Sequence, residues 1–155
     1  MDFVCKRFER LSAEELYEIL KVRFHVFVME QHCFYLDMDN TDYVATHIFF
    51  WDSTHSETTE QGDNRMPVVA YARLYKDRDG TTWHIGRMLT LVRGVGMGKQ
   101  LMLRAIDLLR QTGAGVVVID AQQYAIRFYE KLGFAVTSDP FDEAGITHVK
   151  MTLNL

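Results

Sequence analysis

The sequence predicts an α/β fold: a mixed sheet with helices on both of its faces. Three observations carry this. Strand-like and helix-like periodicities follow one another as strand, helix, three strands, helix, strand, helix and two strands. Asp79-Gly80 lies between two strand-like runs and signals a hairpin. A turn carrying Gly94, Gly96 and Gly98 separates a strand from a helix. Such turns often bind phosphate, because glycine lets the backbone approach a ligand and the amides of a helix start point at anions.

The elements follow in order. Phe3 to Leu11 reads as a strand. Ser12 and Glu15 form a capping box, and Leu11 and Leu16 are spaced to staple it. Leu16, Ile19, Leu20, Phe24, Phe27 and Val28 then recur at helical spacing, to about Glu30. HCFYLDMDNTD suits neither period and reads as a loop. Ala45 to Trp51 is strand-like, and the polar run Asp52 to Met66 reads as an exposed loop. Pro67 to Tyr75 and Thr82 to Leu91 are the arms of the hairpin. Leu101, Ala105, Leu108 and Leu109 mark a helical face, which Gly113 and Gly115 end. Val116 to Ile119 reads as a fully buried strand. Ala125, Phe128, Tyr129 and Leu132 give a short helix closed by Gly133. Phe134 to Val136 and Thr147 to Leu153 are the last strands, joined across FDEAG. With no internal repeat and no linker, residues 1–155 read as one domain.

Composition narrows the function. The 155 residues suffice for a real core, and 48% hydrophobic with 25% charged residues is ordinary for a soluble globule. Acidic residues outnumber basic ones, 21 to 17, for a net charge of −4, which excludes a general affinity for nucleic acid. Cys5 and Cys33 are too few for a disulfide framework and lack a metal-ligand spacing. MDFVCKRFER lacks the apolar core of a signal peptide, and no apolar run is long enough to span a membrane. The expectation is a soluble, cytoplasmic protein with no membrane partner.

Three glycine motifs compete for LVRGVGMGKQLM. A Walker A loop needs glycine where Arg93 stands and serine or threonine where Gln100 stands. A dinucleotide fingerprint starting at Gly94 needs glycine where Lys99 stands. The third pattern, R/Q-x-x-G-x-G/A, is met by Arg93, Gly96 and Gly98. It resembles motif A of the GNAT superfamily of acyl-CoA-dependent N-acyltransferases. The superfamily's second signature, roughly N-x-x-A-x-x-x-Y-x-x-x-G-F, is matched in AQQYAIRFYEKLGF by Gln122, Ala125, Tyr129, Gly133 and Phe134. The element order fits as well, so the resemblance covers nearly the whole chain. VRFHVFVMEQHCFYLDMDNTD, HIGRML and GITHVKM are most similar to the ElaA-like bacterial branch.

The resemblance implies a mostly antiparallel central sheet of about six to seven strands, flanked by helices on both faces. The fourth strand would splay from the fifth, and the backbone of Met88, Leu89 and Thr90 would bind the pantetheine arm of acetyl-CoA. Arg93, Gly94, Val95, Gly96, Met97, Gly98 and Lys99 would cradle its pyrophosphate, a placement that helix-start amides and the Lys99 charge favour. Gln122 replaces the usual asparagine on the pantetheine. Tyr129 matches the tyrosine that protonates the departing thiolate, and packing on the apolar face with Ala125 and Leu132 is its alternative role.

The implied reaction is direct attack of a primary amine on the acetyl thioester, which requires a proton acceptor. Val117 stands where many family members carry a glutamate base. Glu30 and His148 are the candidates in its place, with His47 and Asp120 behind them; each also has a purely structural reading. The connection into Arg93 is shorter than the common pattern and lacks its proline. Asp37, Asp39, Asp42 and His47, near His32 and Cys33, lack the glycine and late glutamate of a calcium loop and the spacing of a zinc site, so no metal is expected. In the ElaA-like reading this acidic loop shapes the acceptor pocket and suits a cationic amine. The acceptor is an amine on a small molecule or peptide, and a homodimer through sheet edges stays open. A non-catalytic acyl-CoA sensor on the same fold is the alternative function.

Overall fold

Local signals set most element boundaries in the computed structural model, which describes residues 1–55 and 66–155. Strand β1 (Asp2–Arg7) ends in a single helical turn, shorter than expected, before α1 (Ala13–Arg23) begins. The capping box forms as its spacing requires. Ser12 Oγ accepts from the Glu15 amide at 3.1 Å, and the Ser12 amide donates to Glu15 Oε2 at 2.8 Å. After Arg23 the chain continues as a π-helix, Phe24–Glu30, so the helical stretch reaches Glu30 with wider final turns than a 3.6-residue period implies.

Strands β2 (Thr46–Trp51), β3 (Val68–Lys76) and β4 (Trp83–Thr90) form an antiparallel meander with β1. Asp77 organises the β3–β4 turn. Its carboxylate accepts from the amides of Thr81 and Thr82, each at 3.0 Å, while Gly80 takes the left-handed conformation. Of the loop expected between β2 and β3, residues 53–55 form a short helical turn and residues 56–65 lie outside the described residues. Helix α2 (Met97–Gln111) buries Leu101, Met102, Ala105, Ile106 and Leu109 along one stripe. It leads into β5 (Val116–Gln122), α3 (Ile126–Glu130), β6 (Ala135–Val136), β7 (Phe141–Glu143) and β8 (Ile146–Asn154).

The sheet order is β1-β2-β3-β4-β5-β8-β6, with β7 paired to β8. Among the described residues only the β4–β5 pairing is parallel. The eight strands exceed the expected six to seven because FDEAG is no plain connection. Phe141–Glu143 pairs with β8 around Ala144 and Gly145, both left-handed, which make the tight turn that a two-residue hairpin needs. Three exposed or half-exposed residues carry too little periodicity to announce a strand. Strand β5 also corrects its expectation. Val117, Ile119 and Ala121 face the core, but Val116 and Val118 are half-buried and Asp120 is exposed, because one face is left open.

Alternation along β2 and β3 feeds two cores. Ile48, Phe50, Ala70, Ala72 and Leu74 meet α2, while Phe49 and Tyr71 meet Ile19, Val22, Val26 and Phe27 of the first helical stretch. Among the described residues no helix is long and apolar enough to cross a membrane.

A buried ionic network ties the 32–45 segment to the sheet. Arg23, fully buried, donates to Asp37 Oδ2 (2.8 Å), Asp42 Oδ1 (2.7 Å) and the Asp37 carbonyl (2.8 Å). Arg73 donates to Asp39 (2.8 and 2.6 Å) and Asp42 (3.0 Å). Arg87 donates to Asp37 Oδ1 at 2.6 Å. His47 closes the inner side, contacting the Tyr71 hydroxyl at 2.8 Å and the Asp42 carbonyl at 2.9 Å. Burial by itself raises the carboxyls of Asp39 and Asp42. The bonds to Arg73 and Arg23 outweigh it and hold both below the ordinary aspartate value.

Removing one partner of such a set strands a buried charge. Arg23→Met is expected to lower stability by about 3–5 kcal/mol at neutral pH, read from urea midpoints. Depressed folded values mean that the network's contribution is complete above the unfolded aspartate value of about 3.9 and is lost as pH falls through the folded values. The gap between wild type and variant is therefore expected to narrow below about pH 4. An undiminished gap in acid would refute the assignment.

Candidate active site

Strands β4 and β5 start side by side and then part. Their register consists of Trp83 with Val117 and His84 with Val118; from Ile85 onward β4 has no partner on that side. Peptide groups of Met88, Leu89 and Thr90 thus lie on a stretch whose β5 side carries no ladder. On the other side the β3 register shifts between Tyr71–Leu89 and Arg73–Gly86, so Arg87 and Met88 both stand opposite Ala72. This is a β-bulge, with Arg87 at φ +55, a conformation unfavourable for a residue with a Cβ. The Asp37 carboxylate and stacking of the guanidinium over Tyr35 (5.1 Å) hold it there.

A cavity of about 400 Å³ fills the gap, a size suited to a small-molecule ligand. Its wall includes Gly86, Arg87 and Met88 from β4, Asp120 and Gln122 from β5, Tyr129 from α3 and His148 from β8. The 32–45 segment contributes Cys33, Tyr35, Leu36 and Asp39.

The glycine turn lies where β4 hands over to α2. Gly94 and Gly96 adopt φ +82 and +81, and a Cβ at either would meet nothing within 4 Å. Backbone conformation therefore requires glycine there, and the space beside the turn is open. Gly96 immediately precedes α2, whose first amides have no intrahelical acceptors. Gly98 serves packing: a Cβ would lie 2.9 Å from the Met88 methyl and 3.6 Å from the Phe128 ring. Open amides, positive helix end and the Lys99 charge fit a pyrophosphate. The Arg93 guanidinium is turned to Glu30, which also lies 3.2 Å from His25.

The candidate bases lie in different surroundings. Glu30 is absent from the cavity wall and engaged by Arg93 at the turn. His47 is buried between Tyr71 and Asp42, and burial lowers its proton affinity. Asp120 lines the cavity but pairs with Lys150 at 2.8 Å. His148 remains. Its Nδ1 lies 2.8 Å from the Ile146 carbonyl, which can only accept, so Nδ1 donates there and Nε2 is the nitrogen left for other partners. Glu143 Oε2 is 3.8 Å from that Nε2, and Phe141 stacks on the imidazole at 5.9 Å between centroids.

Tyr129 is wedged edge-on against Phe128 (5.0 Å) and Phe134 (5.9 Å), so it both packs and reaches the cavity. Burial pushes its phenol well above the ordinary value, so it keeps its proton at neutral pH. The Gln122 amide donates to Gln31 Oε1 at 2.8 Å, so this side chain is committed to the end of the first helical stretch. Asp37, Asp39 and Asp42 are taken by arginines, so the acidity expected of their loop is neutralised. No group of three or more potential metal ligands occurs among the described residues. Sequence reading missed Glu143 and Arg87: one lay in an apparent connection, and the other showed no sign of a bulge.

Residues 53–155 match the family model described as an acetyltransferase (GNAT) domain. The chain is 35% identical to a UPF0039 protein of Schizosaccharomyces pombe, covering 100% of this chain and 98% of the relative. It is 33% identical to protein ElaA of Escherichia coli over 91% and 88% of the two chains, and that protein's crystal structure superposes with a TM-score of 0.82 over 99% of each. The crystal structure of an acyl-CoA N-acyltransferase from Pseudomonas aeruginosa, 29% identical, superposes with a TM-score of 0.84 over 99% of each chain. The fold is therefore the one shared by ElaA and this acyl-CoA N-acyltransferase. The fission-yeast relative shows that the likeness extends beyond bacteria, to which the sequence reading had confined it.

The geometry at His148 predicts one tautomer. Long-range ¹H–¹⁵N spectra of the neutral imidazole are expected to show a protonated Nδ1 and a bare Nε2. A protonated Nε2 would overturn the orientation of the ring and its availability as a base.

Proposed function

The chain belongs to the GNAT acetyltransferase family, and from that premise we propose that it transfers an acetyl group from acetyl-CoA to a primary amine held in the β4–β5 cavity. Family membership supports acyl transfer from an acyl-CoA. Acetyl as the group, an amine as the acceptor and the roles of Tyr129 and His148 are the proposal. The observation that carries it is the parting of β4 from β5 beside an open glycine turn, with the Tyr129 phenol and the His148 imidazole on the wall of the same gap.

The glycine turn from Gly94 to Lys99 is assigned the pyrophosphate, and the free edge at Met88 to Thr90 the pantetheine arm. The thioester then lies in the cavity beside Tyr129. An amine reaches the site as ammonium and attacks only as the free base. Its nitrogen forms a bond to the acetyl carbon, and the carbon–sulfur bond breaks. His148 Nε2 accepts the proton lost from nitrogen, and Tyr129 donates its hydroxyl proton to the departing sulfur. Burial raises the proton affinity of the phenolate, so Tyr129 gives up its proton only to a thiolate that is itself desolvated against the same wall. Solvent exchange at His148 and Tyr129 restores both groups.

Thiol release with acetyl-CoA and an amine panel tests this, alongside calorimetric binding of acetyl-CoA. Tyr129→Phe is expected to slow release by about 10²-fold or more while binding persists. His148→Gln is expected to act in the same direction. Gly96→Glu is expected to abolish binding, since it places a like charge in the cradle. Unchanged release by the Tyr129 variant would sink its acid role. Binding without release for any amine would leave an acyl-CoA sensor.

A further inference from the structure

The charges around the cavity are compensated except at one position. Arg73 and Arg87 stand in its wall, but Arg73 is held by Asp39 and Asp42, and Arg87 by Asp37 with Asp39 beyond it. With Arg23 behind, three guanidinium groups face three carboxylates. Asp120 has Lys150. Among the described acidic residues of the wall, Glu143 has no lysine or arginine; its neighbour is His148, 3.8 Å away. Glu143 is solvent-exposed at the rim, its side chain 57% accessible, and a carboxylate with no lysine or arginine there draws cations and repels anions. Both terminal nitrogens of Arg73 are engaged by Asp39 and Asp42, leaving only its buried Nε without a partner among the described residues. Arg87 is engaged through Nε and Nη2, so neither offers an incoming carboxylate a free fork.

The mouth has a different character. Leu36 and Tyr124 line the cavity although they are 74% and 77% exposed. Phe34, 82% exposed, lies two residues before Leu36 on the same segment. Large apolar side chains left in water at the lip of a cavity mark a contact surface for an apolar partner. The lip is continuous with a wall whose single unmatched charge is negative, so apolar stem and positive head belong to one ligand.

We infer that the acceptor is a primary amine on an apolar stem, with no carboxylate beside the nitrogen: its ammonium enters opposite Glu143 and its stem lies on Leu36 and Tyr124. The inference rests on the amine-acylating reading of this cavity and adds the acceptor's class. Glu143 is a positioning residue. It orients the ammonium beside His148 Nε2, to which the proton passes.

2-Phenylethylamine and L-phenylalanine differ by one carboxylate and serve as probes. Each is titrated into the protein and followed by NMR, which needs no turnover. The amine is expected to bind at least about tenfold more tightly than the amino acid. Glu143→Gln is expected to remove most of that preference and Glu143→Asp to keep it, while acetyl-CoA binding stays as in the wild type. Leu36→Ser is expected to weaken the amine alone. Equal binding of the two probes, binding of neither, or a preference untouched in Glu143→Gln would overturn the inference. Thiol release separates the two readings. Equal turnover of amines and amino acids defeats the inference and leaves acetyl transfer standing. Selective amine binding without thiol release does the reverse.

Discussion

Arg23 is fully buried and held between two carboxylates, Asp37 and Asp42. A fully buried guanidinium survives only if its donors are satisfied and its charge is met, and Asp37 and Asp42 do both. Satisfying Arg23 pins the 32–45 segment to the first helical stretch. The same two aspartates then engage Arg87 and Arg73, so the segment is also pinned to β3 and β4. Cys33, Tyr35, Leu36 and Asp39 stand in the cavity wall because of this anchoring. The segment has almost no regular structure; charge pairing, not a backbone ladder, sets its path.

The network also bears on the strand that forms the other side of the site. Arg87 sits in a left-handed conformation within the β4 bulge, which costs of order 1–3 kcal/mol and persists only where surrounding contacts over-determine it. Asp37 and the Tyr35 ring supply those contacts. The bulge bends β4 as it loses β5, and the gap between the two strands becomes a cavity because α3 and the β7–β8 hairpin close its far side. Acetyl transfer, on the reading proposed here, follows from three features brought to that gap: unpaired β4 peptide groups, an open glycine turn and a proton donor and acceptor on its wall.

Much of the fold was legible because its signals are local. Ser12 and Glu15 announce the start of α1 by their spacing, and Leu101, Ala105 and Leu109 announce the buried stripe of α2. The glycine turn was legible too: Gly94 and Gly96 adopt conformations that other residues resist, so their pattern in the sequence reflects a backbone requirement. Three residues of β7 gave no period to read, and β5 looked fully buried because its β-branched composition does not say how many faces are covered. Among the candidate bases, Glu30 and His148 could not be separated by spacing. Only the tertiary arrangement shows one bound to Arg93 and the other on the cavity wall with its Nδ1 committed to a backbone carbonyl.

The sequence by itself determined the order of elements, the helix starts, the phosphate-type turn and the family resemblance that the relatives bear out. All are set by residues within a few positions of one another, where spacing maps directly onto geometry. Tertiary structure decided which charges remain unmatched. Asp37, Asp39 and Asp42 look in the sequence like an acidic loop, yet Arg23, Arg73 and Arg87 reach them from distant positions and cancel them. Glu143 looks like a turn residue, yet it is the acid left beside His148. Electrostatic character depends on through-space partners, and those are fixed only when the sheet brings distant strands together.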